Sequence, residues 1–480
     1  MSLKAALCGA AFLASGCVQP LGPGFRFVDR QAEIRPAPDA PERLQVRVVD
    51  RFENVGDRPL RSLDARLPGG SERGTENFRV TIDGRRVLAQ RIPGGDQRLI
   101  RAPFDPVWEQ RQPREIVTDW EFPAVPPDQG SVAASAVAFY VGGETVLPLW
   151  QPPQGIFVRG GPYPMQEDLT VFAPADFRVL ASGKLVGQSA SGGLVGRRFR
   201  LRPQEDFPPF VVAGRYQEQE FRMAAGAVNF WTLHTLDAQQ AERAAARLGA
   251  SVRAFHDYFG PTSKQKFLIH VVEAPVDLPA EFMAPEGPGG ASFPNGVLLD
   301  PRAIVHDFAS STILELSEYE LARTWFGWRL HPRPGAELLM GRGARLFALG
   351  VAAEARGQDE RRRTVELLLN RYDDSRRMAM DRALDEPPAG YSPAERLSTG
   401  YRAALFFVAL EDLCGRDNFR AALIDMIQAR SGDDVGMTDL RAAIEAASHR
   451  DLSELFRAWM NRPGVPEDFR AHYAEGRRGP

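Results

Sequence analysis

Glu320 is the side chain in this sequence best placed to do chemistry, because of its neighbours in Tyr319-Glu320-Leu321-Ala322-Arg323. Positions four apart share a helix face, so residues 319 and 323 point the same way one turn apart. In the H-E-x-x-H arrangement two histidines at those positions bind Zn²⁺ while the intervening glutamate activates a water. Here the glutamate is present and both ligand positions are changed. Tyrosine needs a large pKa shift to bind as phenolate, and arginine has no lone pair to offer. The window carries the layout of a metal-assisted hydrolytic site without its metal chemistry.

The residues around this window extend the pattern. Trp325-Phe326-Gly327 follows it directly, and Gly341-Arg342-Gly343 comes later, with eighteen residues between Arg323 and Arg342. Phe255-His256-Asp257-Tyr258-Phe259-Gly260-Pro261 and Gly289-Gly290-Ala291-Ser292-Phe293-Pro294 precede it. Tyr401-Arg402-Ala403-Ala404, the run from Leu452 to Trp459, and Pro463-Gly464-Val465-Pro466 come after. As an ordered set these stretches resemble the gluzincin aminopeptidases, the aminopeptidase N-like family.

That resemblance implies roles position by position. Tyr319, Arg323 and Arg342 fall where the family has its three zinc ligands, the third being the Glu of an N-E-G triplet. Glu320 falls at the water-activating position. Tyr401 matches the tyrosine that hydrogen-bonds the tetrahedral intermediate, although Ala403 and Ala404 replace the usual Lys and Gly after it. Ser292 replaces the Glu of the G-x-M-E-N loop, an edge strand that holds a substrate's free amino group. Trp325 is expected to line the cleft, and Glu337 stands where an acidic residue is common.

Fixed cations at the ligand positions change the electrostatics. A buried guanidinium requires carboxylate partners, because an unpaired interior charge costs several kcal/mol. The nearest acids by spacing are Glu320 and Glu337, so an ionic plug of these two with Arg323 and Arg342 is expected, with no cofactor. The alternative left open is an active metallo-aminopeptidase with a non-standard site, which would hold zinc. The seven histidines, His234, His256, His270, His306, His331, His449 and His472, show no metal-ligand spacing on one helix. Gly287-Pro288-Gly289-Gly290 lacks the Lys and helix start of a phosphate loop, and no serine nucleophile elbow is present.

Two kinds of element must position these residues. From 42 to 220 short alternating runs such as Arg43-Leu44-Gln45-Val46-Arg47-Val48-Val49 are separated by Gly, Pro and Asp, which predicts an all-β domain. From 221 to 475 the pattern predicts an α+β thermolysin-like domain with a mainly helical C-terminal half. Its helices are expected at 237–258, with Asp237 as cap, and at 312–326, 336–355, 359–371, 394–413, 416–428, 438–447 and 452–461.

The first 41 residues read differently. Lys4 precedes a short apolar stretch at 5–14, typical of a secretory signal over 1–16. Ala14-Ser15-Gly16-Cys17 resembles a bacterial lipobox, which implies lipidation of Cys17 and membrane attachment through that anchor. Pro-rich residues within 17–41 then predict a tether. With Cys8 and Cys17 so assigned, only Cys414 of the three cysteines remains, and a buried structural thiol is expected there.

Net charge of −3 over 480 residues, with Arg361-Arg362-Arg363 on a solvated helix face, excludes nucleic acid as a partner. The combined reading is a catalytically inactive pseudopeptidase lipoprotein of the cell envelope, on the periplasmic or outer-membrane side. It would bind a peptide or protein segment, or scaffold an envelope protein partner.

Overall fold

A computed structural model describes residues 24–66, 76–92, 99–122, 132–142, 147–151, 163–202, 209–261, 266–278, 289–333, 335–378, 381–385 and 390–474. The signal segment and Cys17 lie outside the described residues. Among those described, the N-terminal domain contains one eight-stranded sheet and two four-stranded sheets. Period-two alternation builds them. In the strand Ala40–Asn54, Leu44, Val46 and Val48 point into a core shared with Phe139, Val141 and Val211. The opposite face carries cross-strand pairs such as Arg47 with Asp119 at 2.8 Å and Arg43 with Glu121 at 2.7 Å.

The tether expected through residue 41 is overturned over its described part. Phe25–Ala37 is a strand inside the eight-stranded sheet, parallel to Gln166–Ala173 and antiparallel to Ala40–Asn54. Its Phe25, Phe27, Ala32 and Ile34 alternate toward the core, and that apolar period outweighs the local proline content. Arg30 of this strand is buried and makes bidentate hydrogen bonds to Asp50 at 2.7 and 3.0 Å. Asp50 also accepts from the Trp150 indole at 2.8 Å.

The second domain opens earlier than residue 221. Gln217–Met223 is the first strand of its five-stranded sheet, followed in spatial order by Gly226–Thr232, Phe267–Glu273, Gly296–Leu299 and the edge strand Gly290–Phe293. The three middle strands are parallel. Helix α1, Ala238–Phe259, makes the crossover between the first two of these, and Asp237 caps it by accepting from Gln240 N at 2.8 Å. One sheet face packs on the helices. The other buries Trp231, Val272, Phe293 and Leu298 against Tyr140, Phe210 and Val212 of the N-terminal domain.

Beyond the sheet come α2 (Pro301–Asp307), α3 (Ser311–Leu321), α4 (Ala344–Glu354), α5 (Gln358–Arg376), α6 (Pro393–Cys414), α7 (Arg416–Ala429), α8 (Met437–Ser448), α9 (Ser453–Met460) and α10 (Glu467–Ala474). The helix expected at 312–326 stops being α-helical at Leu321. That expected at 336–355 begins with a wide turn, Glu337–Gly343, before α4. Cys414 is buried at the end of α6, where burial pushes its thiol pKa up.

Candidate functional site

Helix α3 carries the first part of the site. Ser310 caps it by accepting from Ile313 N at 3.4 Å, and its last turn is buried, with Tyr319 4% and Glu320 6% exposed. The chain then tightens into a 3-10 turn over Ala322–Thr324 and leaves helical geometry at Phe326, with φ −108° and ψ 60°. Gly327 is required at this exit. A Cβ there would lie 2.4 Å from Arg323 Cγ, so the bare backbone is what lets Arg323 fold back along the turn. Its guanidinium then lies over the Trp328 ring, 4.3 Å from the centroid.

The second part comes from the wide turn and α4. Gly343 packs tightly on Ala403 of α6, with only 2.4 Å between a built Cβ and that methyl. Arg342 lies against Gly400 in the same way, its Cδ 2.6 Å from where a Cβ would stand. Both arginines at the presumed ligand positions thus rest on glycine. Arg345, one turn after Arg342, places its guanidinium 4.1 Å from the centre of the Tyr319 ring. The same guanidinium meets Glu320 Oε2 at 3.4 Å.

Two tyrosines complete the arrangement. Tyr401 on α6 is buried, and burial pushes its phenol pKa up, with Tyr319 adding to the shift and Arg371 and Arg342 opposing it. The hydroxyl therefore remains a neutral donor at physiological pH. Tyr140, on the strand Ala138–Gly142 of the N-terminal domain, is also fully buried. Burial raises its pKa, Arg323 opposes that rise and Glu320 reinforces it, which brings the far domain into electrostatic reach of the site.

Ser292 lies on the edge strand and is 5% exposed. Its cross-strand partner Val297 belongs to the core shared with α3, and Gly290, two residues earlier, abuts Leu316 of α3. Ser292 therefore faces α3. Its Oγ has no hydrogen-bond partner among the described residues.

Two expected cleft residues are placed elsewhere. Trp325 is 2% exposed and points into the helical core, packed on Phe255 and His256 of α1, with its indole donating to Gly260 O at 2.8 Å. Helix rotation past Arg323 turns it away, and Trp328 is the aromatic that meets the site. Glu337 is exposed and accepts from Gly335 N at 2.8 Å, at the start of its own turn. The plug drawn from spacing accordingly has different partners, since Glu320 is bridged by Arg345 and Glu337 is engaged locally.

Arg345, Arg371 and Tyr140 were not singled out from sequence. Arg345 had a readable cue, its place one turn after Arg342, while Arg371 and Tyr140 come from elements whose approach is purely tertiary. Arg371 reaches Glu315 of α3 at 3.8 Å. Among the described residues no group of three or more His, Cys, Asp or Glu side chains is arranged to hold a metal ion.

The fold is that of a two-domain M1 zinc metallopeptidase. The enzyme of that description from Deinococcus radiodurans superposes with a TM-score of 0.61 at 16% identity, covering 92% of this chain and 96% of that one. A glutamate-to-alanine mutant of the M1 zinc metallopeptidase from the same organism, bound to a Tyr-Ser-Ala substrate, matches with a TM-score of 0.61 at 16% identity over 92% and 95% of the two chains. No family model and no curated protein sequence matches the chain. The expected fold class, an all-β domain followed by an α+β thermolysin-like domain with a helical C-terminal half, is the observed one.

Proposed function

We propose that this chain is a pseudopeptidase, a peptide-binding protein on a metallopeptidase fold that has given up zinc chemistry. The observation that carries the reading is the Arg345 guanidinium lying on Tyr319 and bridging Glu320. A dication at the position that the family resemblance assigns to Tyr319, Arg323 and Arg342 would meet the cationic side chains of Arg323 and Arg342 instead of imidazole and carboxylate. The Glu320 carboxylate, required free to activate water, is occupied by a cation. These donors do not suit zinc.

Peptide binding is supported by the edge strand Gly290–Phe293, whose outer side has no strand partner among the described residues. An extended peptide can add to such an edge through main-chain hydrogen bonds alone. A protein segment presented by an envelope partner would use the same edge. The proposed setting is the envelope, with attachment through a lipid on Cys17.

Metal analysis of purified protein, with an aminoacyl-substrate assay, tests the catalytic part. Sub-stoichiometric zinc and no chelator-sensitive cleavage are expected. Stoichiometric zinc with cleavage would establish an active metallo-aminopeptidase with a non-standard site. Mass spectrometry of the mature N-terminus tests the anchor, the expected species beginning at an acylated Cys17. A pull-down from envelope extract that finds a stable partner, combined with no peptide affinity, would replace binding by scaffolding.

A further inference from the structure

We infer that one end of the N-terminal domain, the end at Gly24 and Phe25, docks on the phospholipid headgroups of the membrane that carries the anchor. This deepens the envelope reading and rests on acylation of Cys17. From Cys17 to Gly24 the chain has seven residue steps, which reach at most about 25 Å fully extended. From Phe25 onward it is fixed in the eight-stranded sheet. The strand Phe25–Ala37 is itself about 40 Å long at the usual rise per residue. An anchored domain therefore cannot stand on the far hairpin, at Asp39, with the Gly24 end turned away, because the linker does not reach.

Hydrogen bonds gather particular loops at that end. Gly24 O accepts from Val55 N at 3.1 Å and from Gly56 N at 2.8 Å, and Arg111 N donates to Asn54 O at 2.8 Å. The buried Asn54 side chain ties these loops together, accepting from Gly56 N at 3.0 Å and donating to Arg58 O at 3.1 Å and Trp108 O at 3.0 Å. Met165 N donates to Phe27 O at 3.1 Å. Asp83 N donates to Glu115 O at 2.9 Å, which sets the hairpin after Ile82 beside them. On this scaffold Val55 is 51% and Met165 70% exposed. Arg58, Arg85, Arg86 and Arg111 are exposed with them. The acids of the same loops are Asp57, Asp83 and Glu109, and Asp83 is already engaged by Arg114. The patch leans positive on a chain whose net charge is −3. Guanidinium groups bond phosphate oxygens, and apolar tips beside them enter the boundary between headgroups and acyl chains. A patch of this chemistry, held by a short linker to a bilayer, fits phospholipid headgroups.

The test uses the intact protein, isolated from membranes, in vesicles of phosphatidylethanolamine and phosphatidylglycerol with brominated acyl chains as quencher. Val55→Cys and Met165→Cys supply sites for an environment-sensitive fluorophore, with Asp39→Cys at the opposite end as reference. The native thiol of Cys414 is buried and does not compete. Brominated lipid is expected to lower emission at positions 55 and 165 by at least about 2-fold and to leave position 39 unchanged. Replacing phosphatidylglycerol by phosphatidylcholine, or adding Arg58→Gln with Arg111→Gln, is expected to weaken that quenching while the protein still floats with the vesicles. Equal or greater quenching at position 39, or none at 55 and 165 in a protein that floats, overturns the docking inference and leaves the anchor standing. Quenching undiminished by both changes overturns the assignment to headgroup charge. A mature N-terminus without acyl chains in mass spectrometry, together with failure to float, overturns the anchor and the inference with it.

Discussion

Arg345 holds its guanidinium 4.1 Å from the centre of the Tyr319 ring, and the same group reaches Glu320 at 3.4 Å. One arginine thereby engages both the first presumed ligand position and the adjacent carboxylate. Glu320 is 6% exposed, and removing one partner of a buried ion pair is costly. Arg345→Met is expected to lower stability by about 2 kcal/mol, the cost of leaving a buried carboxylate without that bond. Arg345→Lys, which keeps the charge and loses the flat stacking surface, is expected to lower it by about 1 kcal/mol. Urea unfolding at neutral pH measures both, and unchanged midpoints would show that the bridge contributes nothing.

The contact of Arg342 with Gly400 predicts a sign reversal between two backgrounds. Gly400 lies in the interior of α6, where alanine is favoured over glycine by up to about 1 kcal/mol. A Cβ there would stand 2.6 Å from Arg342 Cδ. Gly400→Ala is therefore expected to be neutral or destabilising in the wild-type chain and stabilising in an Arg342→Ala background. A double-mutant cycle by urea unfolding reads the coupling directly. Additive effects would mean that Arg342 does not rest on that glycine.

The residues that sequence could place and those it could not separate by the range of the forces involved. Helical periodicity and the Asp237 cap are local, so α1, α6, α7, α8 and α9 are legible to within one residue at each end, whereas α2 and α10 are not legible and α4 begins eight residues after the expected start at 336. Strand Phe25–Ala37 carries two competing local signals, prolines that favour a tether and the alternation of Phe25, Phe27, Ala32 and Ile34 that favours a strand, and only pairing with Ala40–Asn54 and Gln166–Ala173 decides between them. Spacing along one helix suggested Arg323 as the partner of Glu320, but the bridging guanidinium comes from Arg345 on another helix. Trp325 and Trp328 could not be told apart until the turn at Phe326 and Gly327 fixed which ring faces Arg323. The contribution of Tyr140 depends on how the two domains pack, which no local pattern encodes.

Rebuilding a zinc site is expected to require four substitutions instead of three. Y319H/R323H/R342E would supply the ligand set implied by the family resemblance, yet Arg345 would remain beside position 319. A unit charge about 4 Å from another contributes on the order of 4 kcal/mol at an effective dielectric of 20, and the repulsion is larger against a dication. Adding Arg345→Gln is expected to tighten zinc binding by at least about 10-fold over the triple variant. Competition with a chromogenic chelator measures the difference. Equal affinities would show that Arg345 moves aside at no cost.

Acid sensitivity should carry a component from His270. Burial lowers its imidazole pKa to about 4, with Glu218 acting in the opposite direction, whereas the unfolded value is about 6.5. Between these values the unfolded chain binds the proton and the folded chain does not, so stability rises with pH across that window. The contribution is complete above about pH 6.5 and is lost as pH falls toward 4, to a total on the order of 3 kcal/mol. His256, also lowered by burial, acts in the same direction. His270→Gln should therefore reduce the loss of stability between neutral pH and pH 4.5, even if it lowers stability at neutral pH by disturbing the packing on Trp231. Urea midpoints of the variant and the wild type at both pH values provide the comparison, and parallel pH profiles would assign the acid sensitivity to other groups.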